Sequence, residues 1–353
     1  MRIVLKIGSN LIQTEDGDID LTFLSKLAKE IKSLVQAEHE LVIVSSGAVL
    51  CGLKKLGLTE RPKELLEKQV LAGIGQAYLM HLYDMVFSNY GLVPAQVLLT
   101  SDVFRDKGKF YTVKGVVEKM LKMKVIPIIN ENDTVAVAEL IFGDNDFLAV
   151  HTAFMLDADL LVFFSSAGGL RNHDDRVIPV IEDIDAAFQY VRSVRSSYGT
   201  GGMISKLTAT RIALRLGIPV VITGKEDSLL DVKDKNTKGT YFKPYPKGLK
   251  PGKRWLAMIE EPKGALYIDE GAYAAIKKGK SLLPAGIQRV EGYFSRGDVV
   301  GVYTSDGVLV GKGRVNFSSE ELKLILGKKG DEVKRVLKTT KEEAIHRDSL
   351  VVF

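Results

Sequence analysis

At 353 residues, with 46% hydrophobic and 26% charged side chains, the chain has an ordinary globular composition that excludes a disordered polymer and can fill a large core. The formal net charge of +5 suits small anionic substrates and is too weak by itself to argue for nucleic acid. A single cysteine, Cys51, excludes an internal disulfide, fits a reducing compartment and reads as a small apolar helix residue.

The length exceeds that of a usual single domain, so two domains are expected. The opening MRIVLKIGSN turns polar too early for a signal peptide, and no apolar run approaches the ~20 residues of a membrane span. A soluble, cytoplasmic protein without membrane contact is the expectation.

Arg2 to Ile7 is apolar and β-branched, a first strand that runs into Gly8-Ser9-Asn10 with Lys6 near its carboxyl end. Glycine there lets backbone amides approach a ligand; the plainer reading is a turn beside a solvated lysine. From Leu21 to Val35 apolar residues recur at helical spacing, and Glu40 to Val44 reads as a second strand. That strand ends in Ser45-Ser46-Gly47-Ala48 before a helical run through Leu53. Free amides at a helix start make a natural anion site, although a tight strand-to-helix turn is the plainer reading of this stretch alone.

Helical text resumes from Lys63 to Phe87 and contains Gly73, Gly75 and Gln76, where the glycines suggest close packing or backbone approach rather than strong helix propensity. A third strand, Val93 to Leu99, and a helix, Lys107 to Lys122, lead to the apolar run Val125 to Ile129. After it comes NENDTVAVAELIFGDND, Asn130 to Asp146, a loop-rich segment crowded with carboxylates and amides. In open parallel α/β sheets ligands bind at the carboxyl ends of strands, so this cluster is well placed for chemistry. As an ordinary solvated loop it would instead supply an N-cap, Asp144 or Asn145, to the next helix.

A helix from Asn145 to Leu156, a strand from Ala158 to Phe164, a loop from Ser165 to Asp175 and a helix near Asp183 to Val191 come next. Ser196 to Met203 is a glycine-rich loop that opens into a helix, Ser205 to Leu216, with Lys206 in its first turn. Such a loop holds polyphosphate through amides while the ammonium neutralises charge, but it is not a Walker A sequence. Ile218 to Thr223 is one further strand, expected to close the domain, and Lys225 to Arg254, rich in lysine, glycine, proline and aspartate, reads as the join between domains. Beyond it, short strand-like pieces (Gly264–Ile268, Val290–Tyr293, Val299–Tyr303, Val308–Val315, Ser349–Phe353) suggest a small β-barrel. Helices at Glu270 to Lys278, Ser318 to Leu326 and Asp331 to Leu337 would decorate it. The histidines never approach metal-ligand spacing, and no structural metal is expected.

Together, LKIGSN at Leu5 to Asn10, VSSGAV at Val44 to Val49, NEND at Asn130 to Asp133, GDND at Gly143 to Asp146 and GTGGMISK at Gly199 to Lys206 resemble the glutamate 5-kinases of the amino-acid kinase family. The tail, with SLLPAGI at Ser281 to Ile287 and FSRGD at Phe294 to Asp298, resembles the PUA domain many of them carry. The resemblance implies an α/β/α sandwich with a mainly parallel sheet over residues 1–250 and a PUA-like barrel over 264–353. It implies transfer of the ATP γ-phosphoryl group, with Mg²⁺, to the γ-carboxylate of L-glutamate, opening proline biosynthesis. By match to the family, Lys6 and Lys206 would stabilise the phosphoryl group and Asp146 would hold both lysines. Gly8, Gly47, Ser165, Ser166, Gly199, Thr200, Gly201, Gly202 and Met203 match its nucleotide site. Ser46, Asp133 and Asn145 match its glutamate-binding positions, supported by Asn130 and Asp144, and Asp133 can pair with the α-ammonium. One departure is visible: Ser165-Ser166 stands where the family commonly has Thr-Asp, so a carboxylate is missing there and nucleotide affinity or base preference is in question.

Other family members phosphorylate aspartate, carbamate, acetylglutamate or a nucleoside monophosphate and share the lysines and glycine turns. NEND with GDND and a PUA-like tail favours glutamate. RNA binding through the tail is the rival of a different class, disfavoured by the small basic excess and the lack of an aromatic-rich basic stripe. The resemblance also suggests proline as feedback inhibitor, a homo-oligomer, and coupling to the γ-glutamyl phosphate reductase that consumes the labile product.

Overall fold

In the computed structural model, which describes residues 1–14, 18–60, 62, 64–104, 106–135, 145–191, 202–245, 253, 256 and 262–353, the first apolar run becomes a central strand of a sheet. β1 (Arg2–Ile7) is buried from Ile3 onward. α1 (Leu21–Gln36) buries Phe23, Leu24, Leu27, Ala28, Ile31 and Leu34 at helical spacing, and Asp20 caps it by accepting from the Phe23 amide at 2.9 Å. The expected alternation continues through β2 (Glu40–Ser45), α2 (Ala48–Leu56), α3 (Leu65–Ser88), β3 (Val93–Leu99), α4 (Lys107–Lys122), β4 (Val125–Glu131), α5 (Asn145–Met155) and β5 (Leu160–Phe164).

Three expectations need correction. β4 extends through Asn130 and Glu131, because both pair with β3 and are buried, so the polar cluster begins inside the strand rather than after it. The helix expected near Asp183 to Val191 is a short α6 (Ile184–Ala187) followed by a single 3-10 turn at Phe188–Tyr190. The strand after α7 (Met203–Arg215), β7 (Val220–Thr223), does not close the sheet, since β6 (Val180–Ile181) and β8 (Thr240–Phe242) add to it, with α8 (Leu229–Val232) between β7 and β8. Much of the expected interdomain join, Lys225 onward, therefore belongs to the first unit, where Thr240 and Phe242 are buried.

The eight strands run in the order β3-β4-β2-β1-β5-β7-β8-β6. Those from β3 to β7 in that order pair in parallel, and β8 is antiparallel to β7. The parallel strands thus end along one edge. Side chains alternate between faces of a strand: Ile3, Leu5 and Ile7 of β1 join the core formed with α1 and α3, where Leu79, Tyr83 and Phe87 are buried. Lys6 therefore faces the other helix layer.

α2 and α3 pack backbone to backbone. A Cβ on Gly75 would lie 1.8 Å from the Ala48 carbonyl oxygen, and one on Gly52 would lie 2.1 Å from that of Leu71. The glycines in the Lys63 to Phe87 stretch do serve close approach, as their sequence context suggested.

The contacts divide the chain into Met1–Gly248 and Leu249–Phe353. The second unit contains β9 (Gly264–Ile268), α9 (Glu270–Lys277), β10 (Ile287–Gly292), β11 (Val299–Thr304), β12 (Leu309–Arg314), α10 (Ser319–Ile325), α11 (Gly330–Leu337) and β13 (Leu350–Val352). Its strands form one five-stranded sheet, β10-β9-β11-β12-β13, over a core that includes Leu266, Val302, Val310, Phe317 and Leu322. A capping box starts α10: Ser318 Oγ accepts from the Glu321 amide at 3.2 Å, and Glu321 Oε2 accepts from the Ser318 amide at 2.8 Å.

Gly75→Ala should separate α2 from α3 at a cost of about 1–3 kcal/mol, lowering the thermal midpoint by several degrees. A calorimetric scan of the variant beside Gly115→Ala, whose added Cβ meets nothing within 4 Å, checks this.

Candidate active site

β1, β2 and β5 end side by side, with Ile7 paired to both Ser45 and Phe164. The residues just beyond these ends, together with the end of β4, meet at the carboxyl edge of the sheet, where parallel α/β folds place ligands.

The centre of this edge is a carboxylate between two ammonium groups. Asp146, in the first turn of α5, is fully buried; its Oδ1 lies 2.7 Å from Lys6 Nζ and its Oδ2 lies 3.1 Å from Lys206 Nζ. Lys6 is 3% exposed and Lys206 7%, so neither is the solvated surface lysine of the plainer reading. Each lysine comes from a different element, β1 and α7, and α5 supplies the shared anion. The start of α5 favours negative charge through its helix dipole.

Amides extend from this centre. Asn145 Nδ2 donates to Ser46 Oγ at 2.8 Å, to the Ser45 carbonyl at 3.2 Å and to Asn130 Oδ1 at 3.0 Å. Asn130 Oδ1 also accepts from the Glu131 amide at 2.9 Å, and Asn130 Nδ2 donates to Gln76 Oε1 at 2.8 Å. The end of β2 is anchored from below by a 2.9 Å hydrogen bond between Ser45 Oγ and the buried Tyr83 hydroxyl. Asp133 follows β4, and burial pushes its carboxyl above the usual aspartate value.

Two helices begin here on glycine. Gly47, at φ 114°, precedes α2, and Gly202 precedes α7; neither has a side chain to cap the first amides. Helices α1 and α4, by contrast, start under aspartates that accept from Phe23 and Lys109 amides. A Cβ on Gly8 would come within 3.8 Å of Lys6 Nζ, so that turn adjoins the ammonium pair. Met203 opens α7. The Ser165 hydroxyl accepts from the Ala167 amide at 3.3 Å within its own turn, and Ser166 is exposed. Asp144, Gly199, Thr200 and Gly201 lie outside the described residues.

Direct contacts thus join Lys6 and Lys206 through Asp146, and Ser46 and Asn130 through Asn145, the neighbour of Asp146 in the chain. Gln76 belongs to the same network, although the sequence had pointed to no site role for it. The signal available was a lone amide within the otherwise apolar LAGIGQAYL. Cys51 is buried in α2, and burial pushes its thiol up to about 12, in keeping with an inert core residue.

Residues 1–224 match the profile of the amino acid kinase family and residues 264–337 that of the PUA domain. A glutamate 5-kinase of Aquifex aeolicus is 58% identical over 355 residues, covering 100% of both chains. Glutamate 5-kinases of Thermoanaerobacter sp. and Thermus thermophilus are each 40% identical, covering 100% and 99% of this chain and 98% and 97% of theirs. The structure of carbamate kinase from Giardia lamblia bound to AMP-PNP matches the fold with a TM-score of 0.50 at 16% identity, over 69% of this chain and 98% of that one.

Removing the shared anion leaves two buried ammonium groups facing each other. Asp146→Asn should cost about 3–5 kcal/mol in urea unfolding, and millimolar inorganic phosphate should return part of that loss. A variant as stable as the parent, with no response to phosphate, would show that the carboxylate does not organise the lysines.

Proposed function

Because this chain belongs to the amino acid kinase family and carries a PUA domain, we propose that it transfers the γ-phosphoryl group of ATP to the γ-carboxylate of L-glutamate, forming γ-glutamyl phosphate, the first step of proline biosynthesis. The observation that carries the reading is the Lys6–Asp146–Lys206 bridge at the sheet edge, beside two helix starts with glycine N-caps. The identity to glutamate 5-kinases over the full chain supports glutamate as acceptor.

Phosphoryl transfer needs positioning and neutralisation of charge on the moving oxygens more than covalent chemistry. Lys6 and Lys206 approach those oxygens from two elements. Asp146 holds both ammonium groups at fixed separation, so little reorganisation is left for the transition state. The amides at Gly8, Gly47 and Gly202 receive phosphate oxygens at close range. Ser46, Asn145 and Asn130 align the acceptor, and Asp133 takes the α-ammonium; Asp144, Gly199, Thr200, Gly201 and Met203 complete the proposed sites. Ser165 and Ser166 offer hydroxyls at the nucleotide edge where a carboxylate is common in the family.

Among the described residues no cluster of three or more His, Cys, Asp or Glu side chains could hold a metal. An ion carried on the ATP phosphates, with one or two protein carboxylates at most, is what this donor set fits, and Mg²⁺ would there neutralise phosphoryl charge. Proline feedback, homo-oligomeric assembly, a cytoplasmic location and coupling to a γ-glutamyl phosphate reductase belong to the same proposal and are supported by the family likeness.

With MgATP and hydroxylamine as trap, hydroxamate should form with L-glutamate and not with L-aspartate, and Lys206→Ala should reduce it by at least about 10²-fold. A folded protein that binds ATP and yields no hydroxamate overturns the reading. A second expectation concerns pH. A raised carboxyl pKa means folded Asp133 keeps its proton to higher pH than the ~3.9 of a free aspartate. Above the raised value the buried anion costs stability until the α-ammonium pairs with it. Below that value the neutral acid binds the ammonium poorly. The glutamate KM should therefore rise as pH falls, beginning above ~4, and Asp133→Asn should raise the KM and flatten that part of the profile.

A further inference from the structure

Gln76 lies on α3 directly after Gly75, 8% exposed. Its Oε1 accepts from Asn130, whereas its Nε2 is buried with no hydrogen-bond partner. The orientation of that amide follows from its neighbours. The Glu131 main-chain N–H can only donate, and it donates to Asn130 Oδ1, which Asn145 Nδ2 also reaches. Asn130 must then turn Nδ2 toward Gln76, and Gln76 must answer with its oxygen. Swapping the Gln76 amide would set two donors against each other, so the leftover group is a donor. A buried amide donor without an acceptor is costly to keep, and an acceptor arriving with the substrate would relieve it.

The layers of the fold say which part of the substrate that acceptor is. Lys6 and Lys206 serve the face of the sheet covered by α5 and α7, and the reacting carboxylate must lie with them. Gln76 comes from α3 on the other face, beyond Asn145 and Asn130, where Gly73 of the same helix approaches Thr134 beside Asp133. Accepting the glutamate reading above, we propose that Gln76 contacts the substrate, its Nε2 donating to the α-carboxylate of the acceptor. The residue then selects an amino acid over a simple carboxylate, with Asp133 reading the ammonium and Gln76 the carboxylate of the same carbon.

The test compares the KM for L-glutamate with the competitive inhibition constant of 4-aminobutyrate, which is glutamate without its α-carboxylate. Gln76→Glu keeps an oxygen for Asn130 and removes only the donor; Gln76→Met removes both and decides the matter if the buried acid prevents folding. Gln76→Glu should raise the glutamate KM about 10- to 100-fold while 4-aminobutyrate and MgATP change by no more than about twofold; Gln76→Met, which also loses the oxygen that holds Asn130, should raise the glutamate KM about tenfold more than the 4-aminobutyrate constant. An unchanged glutamate KM, or an equal rise for glutamate and 4-aminobutyrate, overturns the contact and leaves Gln76 as a support for Asn130. A wild type that forms no glutamate-dependent hydroxamate removes the reaction and this contact with it, an outcome distinct from an active wild type whose variants show no split.

Discussion

The buried carboxylate of Asp146 is the constraint on which the rest of the site depends. Two ammonium groups from β1 and α7 converge on it, at 2.7 and 3.1 Å, although 200 residues separate Lys6 from Lys206 in the chain. Like charges would drive these lysines apart or out to solvent without an anion between them, and burial makes that anion matter more because water screens poorly there. Asp146 in turn is placed by the start of α5, immediately after Asn145. One helix start therefore sets both the charge centre and the first member of the amide chain that runs to Ser46 and Asn130.

The second constraint is the approach of α2 to α3. Glycines at positions 52 and 75 let the two backbones touch, and this seats Gly47 and the start of α2 over the sheet edge. The same contact sets where Gln76 meets Asn130. A side chain at either glycine would press on a carbonyl oxygen rather than on a yielding side chain, so the spacing cannot be recovered by rotamer changes. Backbone packing of α2 on α3 thus governs the geometry of the polar edge.

The fold divides labour between its helix layers. α5 and α7 bring the charged groups that suit a phosphoryl group; α3 brings an amide and the Tyr83 hydroxyl that steadies the end of β2. The parallel strands between them present residues of alternating sides at one edge, so both layers reach the same space.

Much of this organisation was legible in the residues. The apolar run Arg2–Ile7 reads as a strand because a central parallel strand is buried on both faces, and Leu21–Gln36 carries the helical period because only one of its faces packs on the core. The candidate polar blocks were legible only in combination, because each glycine turn alone reads as an ordinary turn whereas five such blocks in order are specific. The short strands β6 and β8 were not, since two or three residues hold no period and are fixed by pairing with the sheet. Nor was the extension of β4 through Asn130 and Glu131, where polar side chains mask a backbone that β3 pairs with. By itself the sequence determined the order of the longer strands and helices and the inventory of charged and amide groups, because these depend on local periodicity and residue chemistry. Only the tertiary structure decided the distances at which Asp146 meets the two lysines, that the lysines are buried and that Gln76 is joined to Asn130. Each of those facts is a distance between residues remote in the chain, set by how the helices pack on the sheet.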